Sequence, residues 1–141
     1  MNKTERESRH RARMERINDV LVVCGRADRV RPDHEETLFE RAKLLSEELG
    51  SHHATERGLE ALERLLRAAE ESRGRLRSDI AQFADSLWNG KALPLALLRG
   101  HEAAIAEDMV AVLDAYRWAR LDLIEHVTGG PRRIAALVRS V

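Results

Sequence analysis

Residues Ser51–Val127, SHHATERGLEALERLLRAAEESRGRLRSDIAQFADSLWNGKALPLALLRGHEAAIAEDMVAVLDAYRWARLDLIEHV, form the stretch on which the fold turns. Its first arm sets Leu59, Leu62, Leu66, Ala69, Leu76, Ile80, Phe83 and Leu87 at alternating steps of three and four, with Arg73 filling one slot. The second arm repeats the pattern in Leu98, Ile105, Met109, Val112, Tyr116, Ala119 and Leu123. That period places each set on one helical face, which has to find a partner to leave water. Asn89-Gly90 is a turn signal between the arms. The expectation is an all-α, antiparallel helical bundle of about five helices built on a long helical hairpin.

Gly74 is the critical position within the first arm. Glycine inside a helix costs roughly 1 kcal/mol against alanine. The apolar register is the same before and after it, which predicts one continuous helix over 51–88. The second arm starts near Pro94, a residue tolerated in a first helical turn, and runs over 94–128. Gly129-Gly130-Pro131 ends it, and a last helix over 131–140 carries Ile134, Leu137, Val138 and Val141.

Towards the N-terminus, Thr4 with Glu7 reads as a capping box opening a helix over 4–24, with Met14, Ile17, Val20, Leu21 and Cys24 as its inward stripe. The β-branched run Val20-Leu21-Val22-Val23 reads as a buried helix end, because no second strand candidate is in view. A basic connector, Arg26–Pro32, follows. Asp33 caps a helix over 33–49, with Glu36 three residues on, and Leu38, Phe39, Ala42, Leu45 and Leu49 line one face of it. Gly50 closes that helix and Ser51 caps the next. The whole, 1–141, reads as a single helical-bundle domain.

Apolar residues make up 43% and charged residues 34%, a balance that fits a packed bundle and excludes disorder. No apolar run approaches the roughly 20 residues of a membrane span, and the first sixteen residues are too charged for a signal peptide. Cys24 is the lone cysteine, so no intramolecular disulfide forms and a reducing cytoplasm is the expected setting. Arginine outnumbers lysine 21 to 3, which points to GC-rich coding and a bacterial source. Net charge is zero but uneven: residues 1–32 hold nine basic and five acidic groups, and residues 33–72 hold five and eleven. With no global positive field, nucleic acid is not the expected partner.

The side chains bear on three chemistries. For a metal, Asp122 and His126 stand at i and i+4 on one helical face, with His101 and Glu102 as further donors. The segment Asp33-His34-Glu35-Glu36 with His52-His53 resembles hemerythrin-like bundles in residue type, but the spacing carries no residue over. Ferritin-like sites take a Glu-x-x-His motif from each of two helices, and this chain has that spacing once, at Glu7 and His10. For nucleic acid, Arg9, Arg11, Arg13 and Arg16 crowd the first helix, interleaved with Glu7 and Glu15. For nucleophilic catalysis no residue stands out: Cys24 lies in an apolar run, and no phosphate loop or nucleophile elbow is present.

The reading is therefore a non-enzymatic protein-protein interaction, adaptor or assembly module that self-associates as a homo-oligomer. It is expected to need no cofactor. Trp118 and Leu121, off the main seam of the second arm, and Trp88 at the hairpin tip are the candidate interface anchors. A metal-binding four-helix bundle of hemerythrin or ferritin type, and a nucleic-acid-binding regulator, are the alternatives.

Overall fold

The computed structural model describes all 141 residues. The fold is all-α, with six helices and one two-residue strand pair: α1 (Lys3–Asn18), β1 (Val23–Cys24), β2 (Arg31–Pro32), α2 (His34–Glu71), α3 (Arg75–Asn89), α4 (Ala103–Trp118), α5 (Leu123–His126) and α6 (Gly130–Arg139). Two compact units divide the chain, Met1–His52 and His53–Val141. No helix is long and apolar enough to cross a membrane.

The C-terminal unit holds the core. Leu59, Leu62, Leu66 and Ala69 of α2, Ile80 and Phe83 of α3, and Met109 and Val112 of α4 are buried together with Leu123, Ile124, Ile134 and Leu137. The C-terminal part of α2 and α4 run antiparallel in direct contact. Gly58 lies against Ala115, and Arg64 Nη2 reaches Asp108 Oδ1 at 2.9 Å. The apolar face read from the sequence is the buried face, with one correction: Tyr116 is 64% exposed. α4 ends at Trp118, and Tyr116 in its last turn keeps most of its side chain in solvent.

The helix boundaries depart from the sequence reading at several points. At Gly50-Ser51 there is no break, because Ser51 is buried inside α2 and one glycine cannot stop an otherwise favourable helix. The break falls instead at Gly74, whose φ of 77° and ψ of −140° suit glycine alone. Arg77 reaches back across the break, its Nη1 donating at 3.1 Å to the Ala69 carbonyl, which also accepts from the Ser72 N–H at 3.3 Å. Phase is kept across the break because α2 and α3 turn their apolar faces to the same core, not because they are one helix.

The second arm is likewise not one helix over 94–128. Leu95–Leu98 forms a single 3-10 turn, Gly100 takes a φ of 89°, and α4 then starts afresh. α4 stops at Trp118 with Ala119 as its C-cap, and Asp122 caps the short α5 by accepting from the Ile124 N–H at 3.0 Å. Gly130 opens α6 where a Cβ would stand 2.0 Å from the Ile124 carbonyl oxygen, so only glycine lets α6 approach α5. Arg133 then ties α6 to α2 through Glu63 and Glu70.

In the N-terminal unit the cap of α1 is Asn2, whose Oδ1 accepts from the Glu5 N–H at 2.9 Å, and Thr4 lies inside the helix. The helix ends at Asn18, so Val20–Val23 is not a helix end. Val23 and Cys24 pair with Pro32 and Arg31 in an antiparallel ribbon. Its second strand comes from the connector, whose charge hid it. Asp33 does cap α2, accepting from the Glu36 N–H at 3.0 Å, and Gly90 closes α3 in the left-handed conformation.

Candidate functional site

The inward side of α2 in the N-terminal unit is polar. Thr37 Oγ1 accepts from the Val22 N–H at 2.9 Å and donates to the Val22 carbonyl at 3.3 Å. One turn on, Arg41 Nε donates to the Val20 carbonyl at 2.8 Å. Two turns further, Glu48 is 3% exposed and faces His10 Nδ1 at 3.6 Å and Arg13 Nη1 at 3.5 Å. His10 stacks on His52, rings 3.9 Å apart and within 5° of parallel. This cluster escaped the sequence reading, because a break assumed at Gly50 hid the i, i+4 relation of Glu48 to His52.

With the inward side polar, the apolar side of the same helix is left in solvent. Leu38 is 68% exposed, Phe39 69% and Leu49 49%; Ala42 is exposed too, and Leu45 is half-buried. No apolar residue between Met1 and His52 is buried. The buried residues of this unit are Thr37, Glu48 and Ser51. An amphipathic helix presenting its polar face to its own unit, with Leu38, Phe39, Ala42 and Leu49 in water and Leu45 half-buried beside them, has the arrangement of an interaction surface.

The residues nominated for metal are not gathered. Asp122 uses its carboxylate to cap α5, and His126 Nδ1 donates to the Asp122 carbonyl oxygen at 2.8 Å. His101 Nε2 is instead 2.7 Å from Asp79 Oδ2 on α3, with Arg75 Nε at 3.5 Å from the same oxygen, and Glu102 is exposed. No three His, Cys, Asp or Glu side chains are grouped to hold a metal ion. Stacked parallel imidazoles such as His10 and His52 aim their lone pairs along parallel planes, which do not converge on one ion. Arg9, Arg11 and Arg16 are exposed on α1, whereas Arg13 is half-buried against Glu48.

Of the three interface anchors, Trp88 and Leu121 are half-buried and packed against the C-terminal core. Trp118 is half-buried with the Arg117 guanidinium 5.0 Å from its ring centre. Two recesses mark the C-terminal unit. One, of about 250 Å³, is lined by Phe83, Leu87, Leu93, Leu113 and Tyr116 with Lys91 at its edge. The other, of about 730 Å³, is polar and bounded by Glu70, Arg73, Gly74, Arg77 and Ser140. Beside it the Arg133 guanidinium holds the Glu70 carboxyl below the usual carboxylate range, and Lys91 with Asn89 does the same for Asp85.

No curated protein and no solved structure matches the chain. A family model does match, over residues 59–141 and thus over more than half of the sequence. The chain belongs to that family, DUF7673, a family of unknown function.

Proposed function

We propose that the chain is a non-enzymatic helical module for protein-protein interaction and assembly, and that it self-associates. The observation carrying this reading is the face of Leu38, Phe39, Ala42, Leu45 and Leu49 standing in water on a unit that buries no apolar residue of its own. Each large side chain left so exposed forgoes roughly 1.5–3 kcal/mol that burial supplies, so a covering partner gains what this fold leaves unused. The face lies outside the stretch matched by the family model, which begins at Leu59. A lone cysteine fits a reducing, cytoplasmic setting, and the arginine bias fits a bacterial one.

Native mass spectrometry of the purified chain tests this reading, because subunits, metal ions and nucleic acid each add a different mass. Multiples of the 16.0 kDa chain are expected. A chain that stays monomeric at high micromolar concentration, or one carrying stoichiometric metal or nucleic acid, overturns it.

A further inference from the structure

Glu35, Leu38, Ala42, Leu45, Leu49 and His52 on α2 alternate in steps of three and four. That is a strict 3.5-residue repeat, the spacing of a two-helix seam and not of a broader core-facing stripe. We infer that this seam is covered by the same seam of a second copy of the chain, running antiparallel about a two-fold axis between residues 43 and 44. The inference rests on the reading of the chain as a self-associating module, and adds the surface, the partner and the direction.

Charge and volume both select the antiparallel sense. With the axis at that point, Leu38 meets the partner's Leu49 and Ala42 meets the partner's Leu45. Each end brings Glu35 opposite the turn that carries the partner's His52 and not opposite a second Glu35, and the small Ala42 faces a large residue, as interdigitating layers require. A parallel pair sets Glu35 against the partner's Glu35 and Ala42 against the partner's Ala42, a like-charge contact and a gap. Phe39, beside the seam, covers the partner's Ser46 in the antiparallel pair.

The area is sufficient for a reversible dimer. Leu38, Phe39 and Leu49 each show on the order of 100 Å². With Ala42, Leu45 and the flanking polar groups they give roughly 500 Å² a copy, or about 1,000 Å² in the pair, the threshold for a specific interface. Leu21, Val23 and Val30 of the same unit are each at least half exposed, so apolar area remains beyond the seam.

The test uses the full chain with Cys24→Ser, carrying either Leu38→Cys or Leu49→Cys. Both positions are well exposed in the single chain, so neither change disturbs its packing; circular dichroism checks this. On mild oxidation the mixture of the two proteins is expected to form a disulfide-linked heterodimer. Each protein alone should link several-fold less, since like positions lie about 16 Å apart along the axis at 1.5 Å per residue. In sedimentation equilibrium, Leu38→Glu should weaken the wild-type dimer roughly a hundred-fold, two buried leucines being lost per pair.

Strong self-linking of Leu38→Cys alone refutes the antiparallel sense. A wild-type dimer that ignores Leu38→Glu and leaves the mixture unlinked refutes this surface, while self-association stands. A wild-type monomer at about 200 μM refutes the second copy as occupant and the self-associating reading with it, leaving the face to an unlike protein.

Discussion

Gly58→Ala sets helix propensity against packing at the crossing of α2 and α4. Alanine is favoured over glycine inside a helix by roughly 1 kcal/mol, so on propensity alone the change stabilises. Packing opposes it. A Cβ at Gly58 stands 2.1 Å from the Ala115 Cβ and 3.2 Å from the Ala111 carbonyl oxygen. Carbon atoms rest about 3.5–4.0 Å apart, so the helices have to separate by more than about 1 Å. Neither methyl has a rotamer by which to escape, and overpacking of this kind costs about 1–3 kcal/mol. The net expectation is a loss of up to about 2 kcal/mol, or up to roughly 8 °C in Tm for a chain of this size. Chemical denaturation of Gly58→Ala, Ala115→Gly and the double variant reads the pair. Ala115→Gly alone loses a buried methyl and about 1 kcal/mol of propensity. In the double variant the 2.1 Å clash with the Ala115 Cβ is gone and only the 3.2 Å approach to the Ala111 carbonyl oxygen remains, so it should be more stable than the two single losses predict by about 1–2 kcal/mol. A Gly58→Ala protein that melts higher than wild type, or losses that simply add, refutes the close crossing.

Three further outcomes follow from named contacts. Gly74→Ala meets no atom within 4 Å, so its cost is torsional alone, about 1–3 kcal/mol for a backbone conformation that glycine alone adopts readily; unchanged urea denaturation refutes the break there. Arg133→Met removes the guanidinium that joins Glu63 and Glu70 to α6, and should cost roughly 1–2 kcal/mol, with amide exchange quickening first in α6. Glu70 is held below its ordinary range by Arg133, so its contribution is present above the unfolded carboxylate range near about 4.3 and is lost as the pH falls through the lower folded value. The stability gap between wild type and Glu70→Gln should therefore close in acid denaturation series below about pH 4, and a gap that persists at pH 2 refutes the pairing.

The elements that the sequence disclosed are those decided by local chemistry. Asp33 caps α2, Gly90 ends α3 and Pro131 lies in the first turn of α6, because side-chain capping and glycine or proline backbone preferences act within a few residues. The apolar faces of the C-terminal part of α2 and of α3, α4 and α6 were legible too, and in the C-terminal unit they are the faces that turn inward. Positions where two local signals compete were not. Gly50 and Gly74 carry the same intrinsic penalty, yet the chain stays helical at the first and breaks at the second. At the second, Arg77 reaches back to the Ala69 carbonyl and α3 turns its apolar face to the core that α2 also lines, tertiary facts that no reading of the glycines reveals.

The N-terminal unit marks the same boundary. The stripe Leu38, Phe39, Ala42, Leu45 and Leu49 was plain in the sequence, and so was its helical phase. Its direction was not, because periodicity says that two faces differ and leaves open which one turns inward. Tertiary hydrogen bonds from Thr37 to Val22 and from Arg41 to Val20, with Glu48 enclosed between His10 and Arg13, claim the inner side for polar groups. The sequence by itself determined an all-α chain with amphipathic helices, the Asp33 cap of α2 and the glycine end of α3. Only the tertiary structure decided that one of those helices keeps its apolar face in water, because buried polar groups with fixed partners admit no other orientation.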